Sequence, residues 1–145
     1  MKIISDLDKN KTKVVVFCDG ASRGNPGSAA IGIFILDEDE NTLKKFKECI
    51  GVTTNNVAEY SALIKALNLA AKHTNKEVHI FMDSELVIKQ LNGQYRVKTD
   101  HIQELYKKVR DNEKFFKKVV YNNVPRENKN LQIADALANQ ALDGK

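Results

Sequence analysis

Four acidic residues stand where a folded chain rarely tolerates a carboxylate. Asp19 ends the apolar run Val14-Val15-Val16-Phe17-Cys18, and Asp83 ends Val78-His79-Ile80-Phe81-Met82. If these runs are neighbouring parallel strands, both acids project at the carboxyl ends of a sheet, where α/β folds place ligands. Glu59 precedes Leu63 and Ala66, four and seven residues on, so helical spacing sets it on or beside an apolar stripe. Asp135 lies between Leu131, four back, and Ala138 and Leu142, three and seven ahead, and faces inward by the same argument. Three of them have a plain alternative. Asp19-Gly20 could be a turn, Asp83 could cap a helix beginning at Ser84, and Glu59 could be the capping-box partner of Asn56.

Four converging acids repel one another, and their pKa values rise unless positive charge sits among them. Divalent cations resolve that repulsion, and an all-oxygen donor set suits Mg²⁺ or Mn²⁺ rather than zinc. Two such ions about 3.5–4 Å apart would activate a water and stabilise the leaving oxygen of a phosphodiester. Rival chemistries lack their residues. His73, His79 and His101 fall at a helix end, inside a strand and at a helix start, and read as structural or surface groups rather than ligands. No Ser–His–Asp arrangement or Walker lysine loop is visible, and Gly24-Asn25-Pro26-Gly27 reads as a turn.

The elements that must position these acids follow from apolar periodicity. Lys13–Cys18 predicts a strand buried on both faces, Ser22–Ser28 a turn and Ala29–Leu36 a second strand. The acidic segment 37–41 predicts a hairpin loop, and Thr42–Ile50 a third strand whose Lys44, Lys45 and Lys47 suit an edge. From Thr53-Thr54-Asn55-Asn56 the period becomes helical, with Asn55 or Asn56 as cap. Strand Val78–Met82, helix Ser84–Leu91, helix Asp100–Phe115, strand Lys117–Val124 and helix Asn130–Leu142 complete the order βββαβααβα. An antiparallel meander followed by right-handed crossovers gives a mixed five-stranded α/β sheet with helices on both faces.

Composition narrows the class. The 145 residues suit a single domain over 1–145, with 42% apolar and 29% charged residues and mean hydropathy −0.42. A net charge of +4 and a pI near 9.0 favour polyanionic partners. Met1 to Lys13 lacks the apolar core of a secretory signal, and no segment approaches the ~18 apolar residues of a membrane span. Two cysteines, Cys18 and Cys49, suggest neither a disulfide framework nor a zinc knuckle. The expectation is a cytoplasmic protein with reduced thiols.

With the acids placed, the chain resembles the type 1 ribonuclease H family over nearly its whole length. Asp19-Gly20-Ala21-Ser22-Arg23-Gly24-Asn25-Pro26-Gly27 is similar to the family's first motif, and Thr53-Thr54-Asn55-Asn56-Val57-Ala58-Glu59 to its second. Met82-Asp83-Ser84 is similar to the third, and Ala134-Asp135-Ala136-Leu137-Ala138 to the fourth. The resemblance implies the family's fold: strand order 3-2-1-4-5, the second strand antiparallel. It implies a monomeric endonuclease that hydrolyses the RNA strand of RNA–DNA hybrids with two Mg²⁺ or Mn²⁺ ions, leaving 5′-phosphate and 3′-hydroxyl ends. Asp19, Glu59, Asp83 and Asp135 match the metal ligands, with Gly20 beside them. Gly20, Asn25, Thr54, Asn55, Asn56 and Ser84 match substrate contacts; Gly20 and the asparagines would read 2′-hydroxyls across a shallow minor groove, and Thr54 would help hold a phosphate of the DNA strand. Duplex RNA is left open as a second substrate.

The departures are equally specific. The loop that in some members carries a histidine before the fourth acid reads Pro125-Arg126-Glu127-Asn128-Lys129-Asn130, making Arg126 and Asn130 accessory candidates. Glu85 stands where several members have glutamine. Only Gly93 to Thr99 separates two helices where other members insert a basic protrusion, which resembles the short archaeal-like branch. With strand order 3-2-1-4-5, Cys18 and Cys49 would sit about 9–10 Å apart, beyond disulfide reach. Two other readings compete: a junction resolvase or strand-transfer nuclease of the same superfamily, and a catalytically silent hybrid-binding module.

Overall fold

The computed structural model describes residues 11–145, so the expectation for Met1 to Lys13 lies mostly outside the described residues. In chain order the elements are β1 (Lys13–Gly24), β2 (Gly27–Asp37), β3 (Thr42–Thr53), α1 (Asn55–Ala70), β4 (Glu77–Met82), α2 (Glu85–Leu91), α3 (Asp100–Glu113), β5 (Lys118–Asn123) and α4 (Lys129–Leu142). They build one five-stranded sheet in the order β3-β2-β1-β4-β5. Strand β2 runs antiparallel to both neighbours, and β4 and β5 run parallel to β1. The expected α/β architecture is the observed one.

Alternation along the central strands divides the core between two faces. Val14, Val16 and Cys18 of β1 and Ile31, Ile33 and Ile35 of β2 pack beneath α1, α2 and α3. Phe17, Phe34 and Leu36 point the other way, onto Leu131 and Ala134 of α4. Because both faces are covered, the central strands read as unbroken apolar runs instead of alternating ones. Among the described residues no helix is long and apolar enough to cross a membrane.

Several boundaries differ from expectation. The turn predicted over Ser22–Ser28 shrinks to Asn25-Pro26, because Ser22, Arg23 and Gly24 pair with Ala29, Ser28 and Gly27. Ladder pairing satisfies backbone groups that the Gly/Pro/Asn-rich composition had suggested were in a loop. Likewise β3 continues past Ile50 to Thr53, through a register shift opposite Ala29 and Ala30 and with Gly51 at φ 86°. Helix α3 stops at Glu113, so that Phe116 is buried while Phe115 is left 56% exposed. Thr54, not Asn55 or Asn56, caps α1: its hydroxyl accepts from the Val57 N–H at 3.3 Å. Cys18 is buried, Cys49 is exposed, and both are free, as the strand order requires.

Candidate active site

Strand register explains how the acids meet. Phe17 and Phe81 are partners across the parallel β1–β4 pair, their rings stacked with centroids 4.9 Å apart. Two residues further along each strand come Asp19 and Asp83, on the same face by alternation. That face is the one covered by α4. Asp19 pairs across the antiparallel ladder with Gly32. A Cβ on Gly32 would lie 2.0 Å from the Ala134 carbonyl oxygen and 2.7 Å from the Ala138 nitrogen. The missing side chain thus lets the α4 backbone settle directly beside Asp19, and Asp135 arrives on that helix. Asn128 starts α4, its Oδ1 accepting the Asn130 and Leu131 N–H groups at 3.1 and 3.0 Å.

Glu59 approaches from the opposite face. A Cβ on Gly20 would stand 2.3 Å from the Ala58 carbonyl carbon and oxygen and 2.5 Å from the Glu59 nitrogen. Gly20 therefore docks α1 against β1 at the residue that carries the carboxylate. Any contact of Gly20 with a metal or with RNA would have to come from its backbone atoms. Since Thr54 is the cap, Glu59 begins the second turn of α1 and is not a capping-box partner. Its carboxylate instead accepts a hydrogen bond from the Ser84 side chain. The same Ser84 hydroxyl caps α2 by accepting from the Val87 N–H at 3.3 Å, so Asp83 is free of the capping role.

The electrostatics are those of acids held too close together. Asp19, only 7% exposed, is pushed up to about 9, first by burial, then by a hydrogen bond with Asp135, then by the fields of Asp83, Asp135 and Glu59. Burial raises Glu59, opposed by the Ser84 hydrogen bond and reinforced by Asp83. Asp83 is raised by burial and by Asp135, while its own backbone N–H and the Arg126 guanidinium pull it down. Among the described residues no three His, Cys, Asp or Glu side chains already stand at single-ion coordination spacing. The acids are close enough for Asp19 to hydrogen-bond Asp135 and to feel the charges of Asp83 and Glu59. Oxygen-only, mutually repelling donors, Asp19 buried and Glu59, Asp83 and Asp135 half-buried, fit hard divalent cations.

A groove of about 740 Å³ opens beside Glu59 and holds Asn25, Thr54, Asn55, Asn56 and Ser84. Asn25 ties its two walls together, since its Oδ1 accepts the Asn55 N–H at 3.1 Å. Five of the six expected substrate contacts thus line one groove, with Gly20 packed behind it. Arg126 sits in an exposed turn near Asp83. Among the described residues nothing ties the Asn130 side chain to the acids; its backbone is held by Asn128. His101 also lines the groove, whereas His79 pairs with Glu77 at 2.6 Å, well away from it. Sequence reasoning missed the docking role of Gly32, although a glycine inside an apolar strand signals close backbone approach.

A family model described as reverse transcriptase-like matches residues 17–141. A bifunctional protein of Mycobacterium tuberculosis, Rv2228c, is 42% identical over 132 residues, which is 90% of this chain and 36% of that protein. The chain therefore spans about a third of the length of its mycobacterial relatives. The crystal structure of ribonuclease H1 from Halobacterium salinarum superposes with a TM-score of 0.87 at 38% identity, covering 92% of this chain and 99% of that one. LC11 ribonuclease H1, solved with an RNA/DNA hybrid, gives 0.83 at 42% identity, covering 90% and 97%. The chain belongs to the reverse transcriptase-like family and has the fold of its type 1 ribonuclease H members.

Proposed function

We propose that this chain is a metal-dependent endonuclease that hydrolyses the RNA strand of RNA–DNA hybrids. The observation that carries the reading is the meeting of Asp19, Glu59, Asp83 and Asp135 beside a groove lined by Asn25, Thr54, Asn55 and Asn56. The hybrid bound to the related LC11 enzyme supports the same substrate.

The four acids would hold Mg²⁺ or Mn²⁺, two ions to the site. When bound, such ions supply an acidified water and neutralise charge on the departing 3′ oxygen. The protein's part is positioning. Ser84 orients Glu59, Gly20 and Gly32 fix the helices that bring Glu59 and Asp135, and the groove asparagines offer amides to the 2′-hydroxyls. Hydrolysis breaks the P–O3′ bond, leaving 5′-phosphate and 3′-hydroxyl ends. Arg126 would act by its charge on Asp83. The domain would act as a monomer, and in the cytoplasm.

The test incubates labelled hybrid, duplex RNA, duplex DNA and a four-way junction with wild type and Asp19→Asn, in Mg²⁺ and in Mn²⁺. Cleavage of the hybrid's RNA strand by wild type alone is expected. Equal activity in both proteins, or a preference for the junction, refutes the reading.

A further inference from the structure

We propose that Arg23 is a positioning residue for Asp135, acting through the last turns of α4. The inference rests on the four-acid reading above. Arg23 lies four residues beyond Asp19 on β1, on the same face by alternation. Its guanidinium reaches Asp143 Oδ1 at 2.7 Å, Asn139 Oδ1 at 3.4 Å and the Asn139 carbonyl oxygen at 3.5 Å. A cation suits this end of a helix, where the dipole is negative, although the Asn139 carbonyl also accepts the Asp143 N–H at 2.9 Å. The Asn139 amide is held at both ends, because its Nδ2 donates to the Asp135 carbonyl oxygen at 3.0 Å. One strand thus carries Asp19 and, through Arg23 and Asn139, grips the backbone of the acid that hydrogen-bonds to it.

Two contacts with different tasks follow. Gly32 sets how closely α4 approaches the sheet, touching it at Ala134 and Ala138. Beyond that contact the last turns are held by Arg23, by Lys47 Nζ to Gln140 Oε1 at 3.4 Å and by Cys49 Sγ to the Ala141 carbonyl oxygen at 3.1 Å. Of these three, Arg23 is the one tied to the Asp135 backbone, through Asn139, and so restrains the roll that would move Asp135 relative to Asp19. The Arg23–Asp143 pair is about half exposed on both sides, 48% and 43%, so it adds little to global stability. Its removal should therefore appear in the site and not in the melting temperature.

The test compares Arg23→Met, Arg23→Lys, Asp143→Asn and the Arg23→Met/Asp143→Asn double variant in the full chain. The readouts are kcat and KM on hybrid, Mn²⁺ binding by calorimetry, and Tm. Arg23→Met should lower kcat about fivefold to tenfold and weaken Mn²⁺ binding, with KM within about twofold and Tm nearly unchanged. Asp143→Asn should act in the same direction, and the double variant should be no worse than Arg23→Met, as expected for one coupled interaction. Arg23→Lys should recover part of the loss, keeping the charge without the fork. A raised KM at unchanged kcat, with Asp143→Asn silent, would mean Arg23 grips a substrate phosphate and overturns the proposal. A collapse of Tm parallel to the activity loss overturns it too. A wild type that cleaves no hybrid, yet loses Mn²⁺ affinity on Arg23→Met, sinks the hydrolase reading and leaves this proposal standing.

Discussion

Replacing Gly32 with alanine adds one carbon at the place where the sheet and α4 touch. The new Cβ would lie 2.0 Å from the Ala134 carbonyl oxygen, 2.7 Å from the Ala138 nitrogen and 3.0 Å from the Ala134 carbonyl carbon. All three are backbone atoms, so no side chain can swing aside. A tolerable carbon–oxygen contact is about 3.3 Å, which requires α4 to retreat by about 1.3 Å. Overpacking of this kind costs about 1–3 kcal/mol, and for a chain of this size Tm should fall by roughly 3–10 °C. The helix carries Asp135, and a misplacement of about 1 Å can cost ~10²-fold in rate. Cleavage of a labelled hybrid and thermal unfolding should be measured on the same preparation. Gly51→Ala is the control, since nothing lies within 4 Å of its Cβ and only the φ of 86° is strained. It should lose about 1–2 kcal/mol of stability and keep its activity. A Gly32→Ala protein as stable and as active as wild type would show that close approach at this residue does not position Asp135.

Four further outcomes can be checked. In chelator at neutral pH, Asp19→Asn should melt at or above the wild-type temperature, because the raised folded pKa makes Asp19 cost stability as pH rises above the ordinary carboxylate range and a neutral isostere removes that cost; a clear drop in Tm argues against that crowding. Asp37 closes the β2–β3 turn by accepting the Asp39 and Asn41 N–H groups at 2.9 and 2.8 Å, and its pKa is lowered, above all by the Asn41 backbone. A lowered folded pKa gives stability that is present above the ordinary carboxylate range and lost as pH falls through the folded value, so Asp37→Asn should flatten the acid limb of a Tm-against-pH profile. Arg110 links Glu113, Tyr106 and the Leu91 carbonyl, and Tyr121 donates to Glu113 at 2.6 Å; Arg110→Met should cost about 1–3 kcal/mol by denaturant titration and spare catalysis. Arg126→Met should lower kcat by up to about tenfold and move the acid limb of the pH–rate profile to higher pH, because the lost guanidinium no longer pulls the Asp83 pKa down; an unmoved limb argues against that role.

The sequence by itself determined the element order and put the four acids forward as candidates. Apolar runs ending in Asp19 and Asp83 mark central strands, because residues buried on both faces leave few alternatives to β-branched and aromatic types. The switch to helical spacing after Asn56 locates Glu59, and the stripe from Leu131 to Leu142 locates Asp135. Local patterning could not settle where hairpin pairing stops, so Ser22–Gly24 read as turn when they are strand. It also named Asn55 or Asn56 as the cap of α1, since asparagine outranks threonine there, whereas Thr54 fills the role. What only the tertiary structure decided is how the acids come within reach of one another. That depends on long-range partners: Gly32 opposite Asp19, Gly20 beneath Ala58, and Arg23 against the end of α4. Each is a contact between residues distant in sequence, and a glycine's missing Cβ has meaning only once the opposing backbone is known.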